Sequence, residues 1–347
     1  MYRLSLVMIA RNEARCIERC LASVRDHVDE IIVVDTGSTD DTVQKSKIFT
    51  PHVSHYEWTD DFSAARNFSL AQASGDWNIV IDADEWLIGG FDYLRNLRSA
   101  KPDFVATICV ESTFGEDVKL SKSSTKISRI LPRGVLYKGR IHEQPIHAMT
   151  IKDSPVVFAH DGYETDKNAL KMGRNEALLR IELTDRPDDA YLNYQLGKDL
   201  SVQKRFAEAV VYFERAIQRC SLTSIWRYDL VPRLLFAYKM VKRFDAALDL
   251  ISSEEDRFLD SPDFYFVSGD VFLDMSLSIP EHAETLMPMI ESSFLTCRRI
   301  GERPDLPGTV HGVGSFLAAH NLYAFYSAIG AADKAADYLQ LSVSEQG

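Results

Sequence analysis

The chain has 347 residues, 46% hydrophobic and 26% charged, a composition that excludes a disordered protein and offers more material than one core usually organises. A net charge of −12, from 39 basic and 51 acidic residues, argues against general binding to nucleic-acid phosphates, so no nucleic-acid partner is expected. Five cysteines (Cys16, Cys20, Cys109, Cys220, Cys297) form no C-x-x-C pair, which points to reduced, packed thiols rather than disulfides or a zinc knuckle.

The longest apolar runs, such as 4–10, fall far short of the ~20 residues that cross a bilayer, and no basic start leads into a long apolar core. A cytoplasmic protein without a transmembrane segment is expected, with peripheral attachment at the inner membrane left open. Up to about residue 85, short apolar runs alternate with amphipathic segments, the rhythm of a parallel sheet covered by helices. Residues 4–10, 30–35, 53–58 and 77–82 read as strands. Asn12 is placed to cap a helix whose apolar positions are Ile17, Cys20, Leu21 and Val24, with Glu13 in its first turn. Asp60 or Asp61 is placed to cap another, with Ala64, Phe68 and Ala71 on its apolar face. Runs at 104–110, 126–131 and 155–160 read as extra strands around a cleft.

After Asp166 helical periodicity takes over, and the boundary is set between residues 165 and 166. Asn193-x2-Leu196-Gly197-x2-Leu200 followed by Phe206, Ala209, Phe213 and Ala216 fits the small and large residues of a tetratricopeptide repeat, with Asn193 where that pattern has Trp. A weaker copy carries Tyr238, Phe244 and Ala247. Since one helix pair buries its apolar face only against a neighbour, further pairs are expected at 263–299 and 315–341.

In an open α/β sheet, ligands bind beyond the carboxyl ends of the strands, so the polar residues there carry the chemistry. The first strand ends in Ala10-Arg11-Asn12-Glu13, the second in Asp35-Thr36-Gly37-Ser38-Thr39-Asp40-Asp41, and the fourth in Asp82-Ala83-Asp84-Glu85. The first glycine of the chain is Gly37, so no Gly-rich dinucleotide turn follows strand one, and no GxxxxGK[ST] loop exists. Asp82-x-Asp84 suits a divalent cation shared with diphosphate oxygens, which would offset charge on a departing nucleotide.

With these motifs in view, residues 4–13, 31–42 (IIVVDTGSTDDT), 58–67 (WTDDFSAARN) and 75–85 (GDWNIVIDADE) resemble family 2 glycosyltransferases, and the likeness continues more loosely to Tyr163. The resemblance implies an α/β GT-A (Rossmann-like) catalytic domain over 1–165, followed by an all-α tetratricopeptide-like domain over 166–347. It implies an inverting transfer from a UDP-sugar, a hexose such as glucose, with Mg²⁺ or Mn²⁺ as cofactor, to a glycan or a peptide or protein side chain. By motif, Ala10, Arg11, Asn12, Glu13, Asp35, Gly37, Ser38, Arg66, Asp82 and Ala83 fall to the nucleotide-sugar pocket, Asp35 meeting the uracil N–H and Arg66 the diphosphate. Asp84 would be the principal metal ligand, joined by Asp82 and His160. The segment Gly139-Arg140-Ile141-His142-Glu143 resembles the G-x-I-H-E of the subgroup that carries helical repeats and makes Glu143 the base that takes the acceptor proton.

The helical domain is expected to choose the acceptor or to form a homodimer. A sugar-nucleotide pyrophosphorylase would need a Gly-rich basic segment after strand one, which is absent. The competing possibility is a non-catalytic helical-repeat adaptor with a relic nucleotide-sugar domain, which metal-dependent turnover of a UDP-sugar would exclude.

Overall fold

The computed structural model describes residues 1–114, 121–160 and 165–346, with side chains outside 112–124 and 165–172. The Asp161-Gly162-Tyr163 segment, where the resemblance ends, lies outside the described residues. Two compact units divide the chain, Met1–Leu178 and Leu179–Gly347.

The first unit begins with β1 (Leu4–Ala10), α1 (Ile17–Val24), β2 (Glu30–Asp35), α2 (Thr42–Ser46), β3 (Val53–His55), α3 (Phe62–Gln72) and β4 (Trp77–Val80). It continues with β5 (Glu85–Gly89), α4 (Phe91–Leu97), β6 (Phe104–Phe114), β7 (Ser121–Pro132), β8 (Leu136–Lys138), β9 (Gln144–Ile146), β10 (Thr150–Lys152) and β11 (Val157–His160). Among the described residues nine strands form one mixed sheet in the order β3-β2-β1-β4-β7-β6-β11-β5, with β10 beside β6, while β8 and β9 make a separate hairpin. β1 pairs in parallel with both β2 and β4, so the strand order reverses direction at β1 and leaves a crevice above its carboxyl end. Both faces of β1 are buried: Leu4, Leu6 and Met8 pack with Ile17 and Leu21 of α1, while Val7 packs with Ile32, Val34 and Leu70 of α3. Each such side chain contributes about 1.5–3 kcal/mol by leaving water.

Two local expectations change and a third is met. α1 starts at Ile17 rather than after Asn12, because Asn12 sits at φ 57° and its Oδ1 accepts the Thr39 N–H at 2.8 Å, so it ties two loops together instead of capping a helix. Asp61, of the two residues proposed, caps α3 by accepting the Ala64 N–H at 2.9 Å. The buried face of α3 is Ser63, Ala65, Arg66, Ser69 and Leu70, whereas Phe68 and Ala71 are exposed. Polar groups with specific partners, rather than an apolar stripe, decide which way this helix turns.

α5 (Thr165–Asp185) is one continuous helix, so the expected boundary at 165/166 falls at its start and the division between units falls inside it. Four antiparallel pairs then follow: α6 (Ala190–Val202) with α7 (Phe206–Arg219), α8 (Arg227–Met240) with α9 (Phe244–Glu254), α10 (Pro262–Ser278) with α11 (Ala283–Ile300), and α12 (Phe316–Ala328) with α13 (Ala332–Ser344). Asn193 is fully buried and donates to the Pro187 and Asp189 carbonyls at 2.9 and 2.8 Å, pinning the turn before α6 where the repeat pattern has Trp. No helix among the described residues is long and apolar enough to cross a membrane. The five cysteines are free thiols, and burial together with Glu13 pushes the Cys16 thiol up to about 12.

Gly197 shows why the helices of a pair approach so closely. A Cβ there would lie 2.5 Å from Cδ1 of the fully buried Phe213 ring on α7, and a Cβ at Gly269 would meet the Phe294 ring of α11 at 2.8 Å in the same way. Gly197→Val should therefore cost about 1–3 kcal/mol through overpacking, lowering the thermal midpoint by several degrees. A melt by circular dichroism that matches wild type would contradict this packing.

Candidate functional site

The loops that leave β1 and β2 are bolted to each other. The Asn12 N–H donates to Ser38 Oγ at 3.0 Å, Glu13 N–H to Thr42 Oγ1 at 2.7 Å and Ala14 N–H to Asp40 Oδ2 at 3.1 Å. Thr36 N–H reaches the Ala10 carbonyl at 2.9 Å. Asp35 ends β2, nearly buried, and its carboxylate accepts the Gly37 and Ser38 N–H groups at 3.1 Å, with His55 Nδ1 at 3.5 Å. Gly37 takes φ 103°, a left-handed value that favours glycine, and so lets the turn fold back onto the carboxylate. Ala10, Arg11, Asn12, Glu13, Asp35, Gly37 and Ser38 thus lie on one connected rim.

Asp82 lies two residues beyond β4, between two buried guanidinium groups. Its Oδ1 accepts from Arg66 Nη2 at 2.9 Å and its Oδ2 from Arg129 Nη2 at 2.9 Å. Arg129, on β7, also reaches the Val80 carbonyl at 3.3 Å. Arg66 Nε meanwhile pairs with Glu143 Oε1, so Arg66 bridges the two carboxylates. Burial alone would raise the Asp82 pKa, but the charges of Arg129 and Arg66 outweigh it and hold the carboxyl far below its usual range. For Arg66 burial opposes the charge, and Asp82 and Glu143 more than restore it.

The neighbouring Asn67 explains how the Glu143 loop arrives. Its side chain donates to the Tyr137 carbonyl at 2.9 Å and accepts the Tyr137 N–H at 2.8 Å, clamping β8 to α3. The Phe62 N–H completes the docking by donating to the Arg140 carbonyl at 2.8 Å.

Asp84 has a different partner. Its Oδ2 lies 3.3 Å from His160 Nε2 at the end of β11, and that hydrogen bond, ahead of the opposing burial, raises the His160 pKa. Residues 83 and 84 form a turn. Among the described residues no three His, Cys, Asp or Glu groups gather as a metal cage. A carboxylate oxygen beside an imidazole nitrogen is nevertheless a donor pair that suits Mn²⁺ and, through the oxygen, Mg²⁺, with diphosphate oxygens and water completing the shell. Ala83 is buried between the two aspartates. Glu85 N–H bonds the Asp82 carbonyl at 3.1 Å and Asp82 N–H the Glu85 Oε2 at 3.0 Å, a reciprocal lock; burial and then the Asp82 charge push Glu85 up to about 7.

Three residues of the network, Arg129, Asn67 and Tyr137, were not among the sequence candidates. Arg129 had no motif to mark it, and only its place on a strand antiparallel to β4 brings it to Asp82. Asn67 could have been found, since it ends the WTDDFSAARN motif beside Arg66.

Residues 5–143 match the profile of Glycosyl transferase family 2. A TPR repeat-containing protein of Synechococcus elongatus is 35% identical over 267 residues, which is 72% of this chain and 65% of that protein. The SPbeta prophage-derived glycosyltransferase SunS of Bacillus subtilis is 28% identical over 288 residues, 77% of this chain and 66% of that protein. The chain thus spans just under two thirds of the length of these relatives. A solved glucosyl-3-phosphoglycerate synthase from Mycobacterium tuberculosis, in complex with Mg²⁺ and uridine diphosphate, is 29% identical over 32% of this chain and 43% of its own, and its TM-score of 0.24 is too low to bear on the fold or the reaction.

Removing one partner of a buried ion pair strands the other. Arg66→Met should cost about 3–5 kcal/mol in urea unfolding, because Arg66 and Glu143 side chains are only 7% and 11% exposed. Adding Glu143→Gln should recover part of that loss; strictly additive costs would show that the two side chains do not interact.

Proposed function

We propose that this chain, which carries a family 2 glycosyl transferase domain ahead of tetratricopeptide-like helical repeats, transfers a sugar from a UDP-sugar to an acceptor nucleophile with inversion at the anomeric carbon. The observation that supports it best is the convergence, beyond the carboxyl ends of β1, β2 and β4, of Asp35, Asp84 and the Arg66–Asp82–Glu143 network within the stretch that matches the family.

In this reading the rim formed by residues 10–13 and 35–38 holds the nucleoside, with Asp35 at the uracil. Glu143 accepts the proton of the acceptor as its oxygen, nitrogen or sulfur attacks opposite the leaving diphosphate. Arg66 fixes the direction of the Glu143 carboxylate and couples it to Asp82. Asp84 and His160 are the residues that would hold Mg²⁺ or Mn²⁺, and that cation, when bound, offsets the charge of the departing UDP. The donor sugar is proposed to be glucose or a related hexose, and the acceptor a glycan or a peptide or protein side chain. The helical pairs are proposed to select that acceptor or to pair two copies of the chain.

Glu143→Gln should lower the turnover of a UDP-sugar by about 10²–10⁴-fold while leaving UDP affinity near wild type, as expected for loss of a general base. Steady-state UDP release combined with UDP calorimetry makes the comparison, and wild-type turnover in the variant would remove Glu143 from this role. Asp84→Asn should abolish the Mn²⁺ dependence of UDP binding; a variant that keeps this dependence would move the cation elsewhere.

A further inference from the structure

The β8–β9 hairpin has two unlike faces. Alternation along the strand puts Tyr137 on one of them, where it is buried with Leu70 and Leu131. Leu136 and Ile146 are directly paired across the hairpin and share the other face, where they are 48% and 58% exposed. Lys138, paired with Gln144 two positions further along, stands on that face as well and is also exposed. The stretch that follows adds Met149, 38% exposed, and Ile151, 58% exposed. Single exposed apolar side chains are ordinary, but four between Leu136 and Ile151 mark a surface with something to cover it.

Charge says what that is. The whole chain carries −12, yet the stretch from Arg133 to Lys152 holds four basic residues, Arg133, Lys138, Arg140 and Lys152, against one acid, Glu143. That acid is nearly buried and already paired with Arg66, so the exposed charge of the stretch is positive. Screening confines a surface charge to about 8 Å at physiological salt, so an anionic partner touching the hairpin meets these cations and not the net charge of the chain. A further β-strand is a poor occupant: Asn67 already takes the backbone N–H and carbonyl of Tyr137, and Pro145, opposite Tyr137, has no N–H to offer. Apolar side chains flanked by lysines suit the boundary between lipid headgroups and acyl chains, where the stems are buried and the ammonium groups stay among phosphates.

We propose that this face of the β8–β9 hairpin docks on an anionic lipid bilayer, with Leu136 and Ile146 entering the headgroup layer and Lys138 and Lys152 meeting lipid phosphates. Residues 139–143, which join the two strands and include Glu143, are brought to the lipid surface with them. Docking itself is independent of the transferase reading; that the acceptor is presented at this surface rests on it.

The test is sedimentation of the full chain with vesicles of phosphatidylcholine, alone or mixed with phosphatidylglycerol. The chain should pellet with the mixed vesicles and not with phosphatidylcholine alone, and added salt should weaken the binding. Ile146→Asp and Lys138→Glu should each lower partition about tenfold. Lys242→Glu, the same charge change on an exposed turn of the second unit, should leave it at the wild-type value. Ile146→Ser, checked by its thermal melt, takes the place of Ile146→Asp should that variant fail to fold. Absence of binding by wild type, or wild-type partition in folded Ile146→Asp, overturns the proposal. A wild-type dimer that Ile146→Asp splits, seen by sedimentation velocity without lipid, would overturn it too and give the face to a second copy. Since no turnover is measured, failure here leaves the transferase reading standing, and a chain inactive on UDP-sugars would still be expected to bind.

Discussion

A carboxylate held between two guanidinium groups organises the front half of this molecule. Asp82 at the end of β4 accepts from Arg66 of α3 and Arg129 of β7, and Arg66 carries the linkage on to Glu143, 77 residues further along the chain than itself. Taking these ions out of water is costly, and the cost is offset only when every partner is in place with good geometry. Removing any one member leaves a charge without its partner. That requirement explains why α3 turns an arginine and two serines toward the sheet, and why Asn67 is spent on clamping the backbone of Tyr137.

The same constraint divides the labour of the Asp82-x-Asp84 motif. Asp82 pairs with Arg66 and Arg129, and Asp84 pairs with His160. The two acids of the motif thus have different partners, two arginines for Asp82 and a histidine for Asp84. In the proposed mechanism Arg66 orients Glu143, and Asp84 with His160 would hold the cation.

Much of the architecture was legible because the relevant signals are local. β1 and β2 coincide with the apolar runs at 4–10 and 30–35, and the Asn193-to-Ala216 pattern marks the first helix pair, where Gly197 admits the Phe213 ring. The elements that escaped are those whose partners are distant. Arg129 sits in an unremarkable strand until β7 runs antiparallel to β4, and the buried face of α3 has no apolar stripe because Arg66 and Ser69 occupy it. Asn12 looked like a helix cap because Asn favours that position, but its side chain found the Thr39 amide across the crevice instead. Sequence patterns locate the residues of the site, whereas long-range hydrogen bonds decide which of them touch each other.

The central claim, that these residues carry out inverting transfer from a UDP-sugar, is tested most directly by following UDP-glucose by NMR in the presence of the chain and Mn²⁺ without an acceptor. The account predicts slow release of UDP with β-glucose as the first sugar formed, because water attacks opposite the departing diphosphate. Release of UMP with glucose 1-phosphate, or α-glucose as the first product, would contradict it.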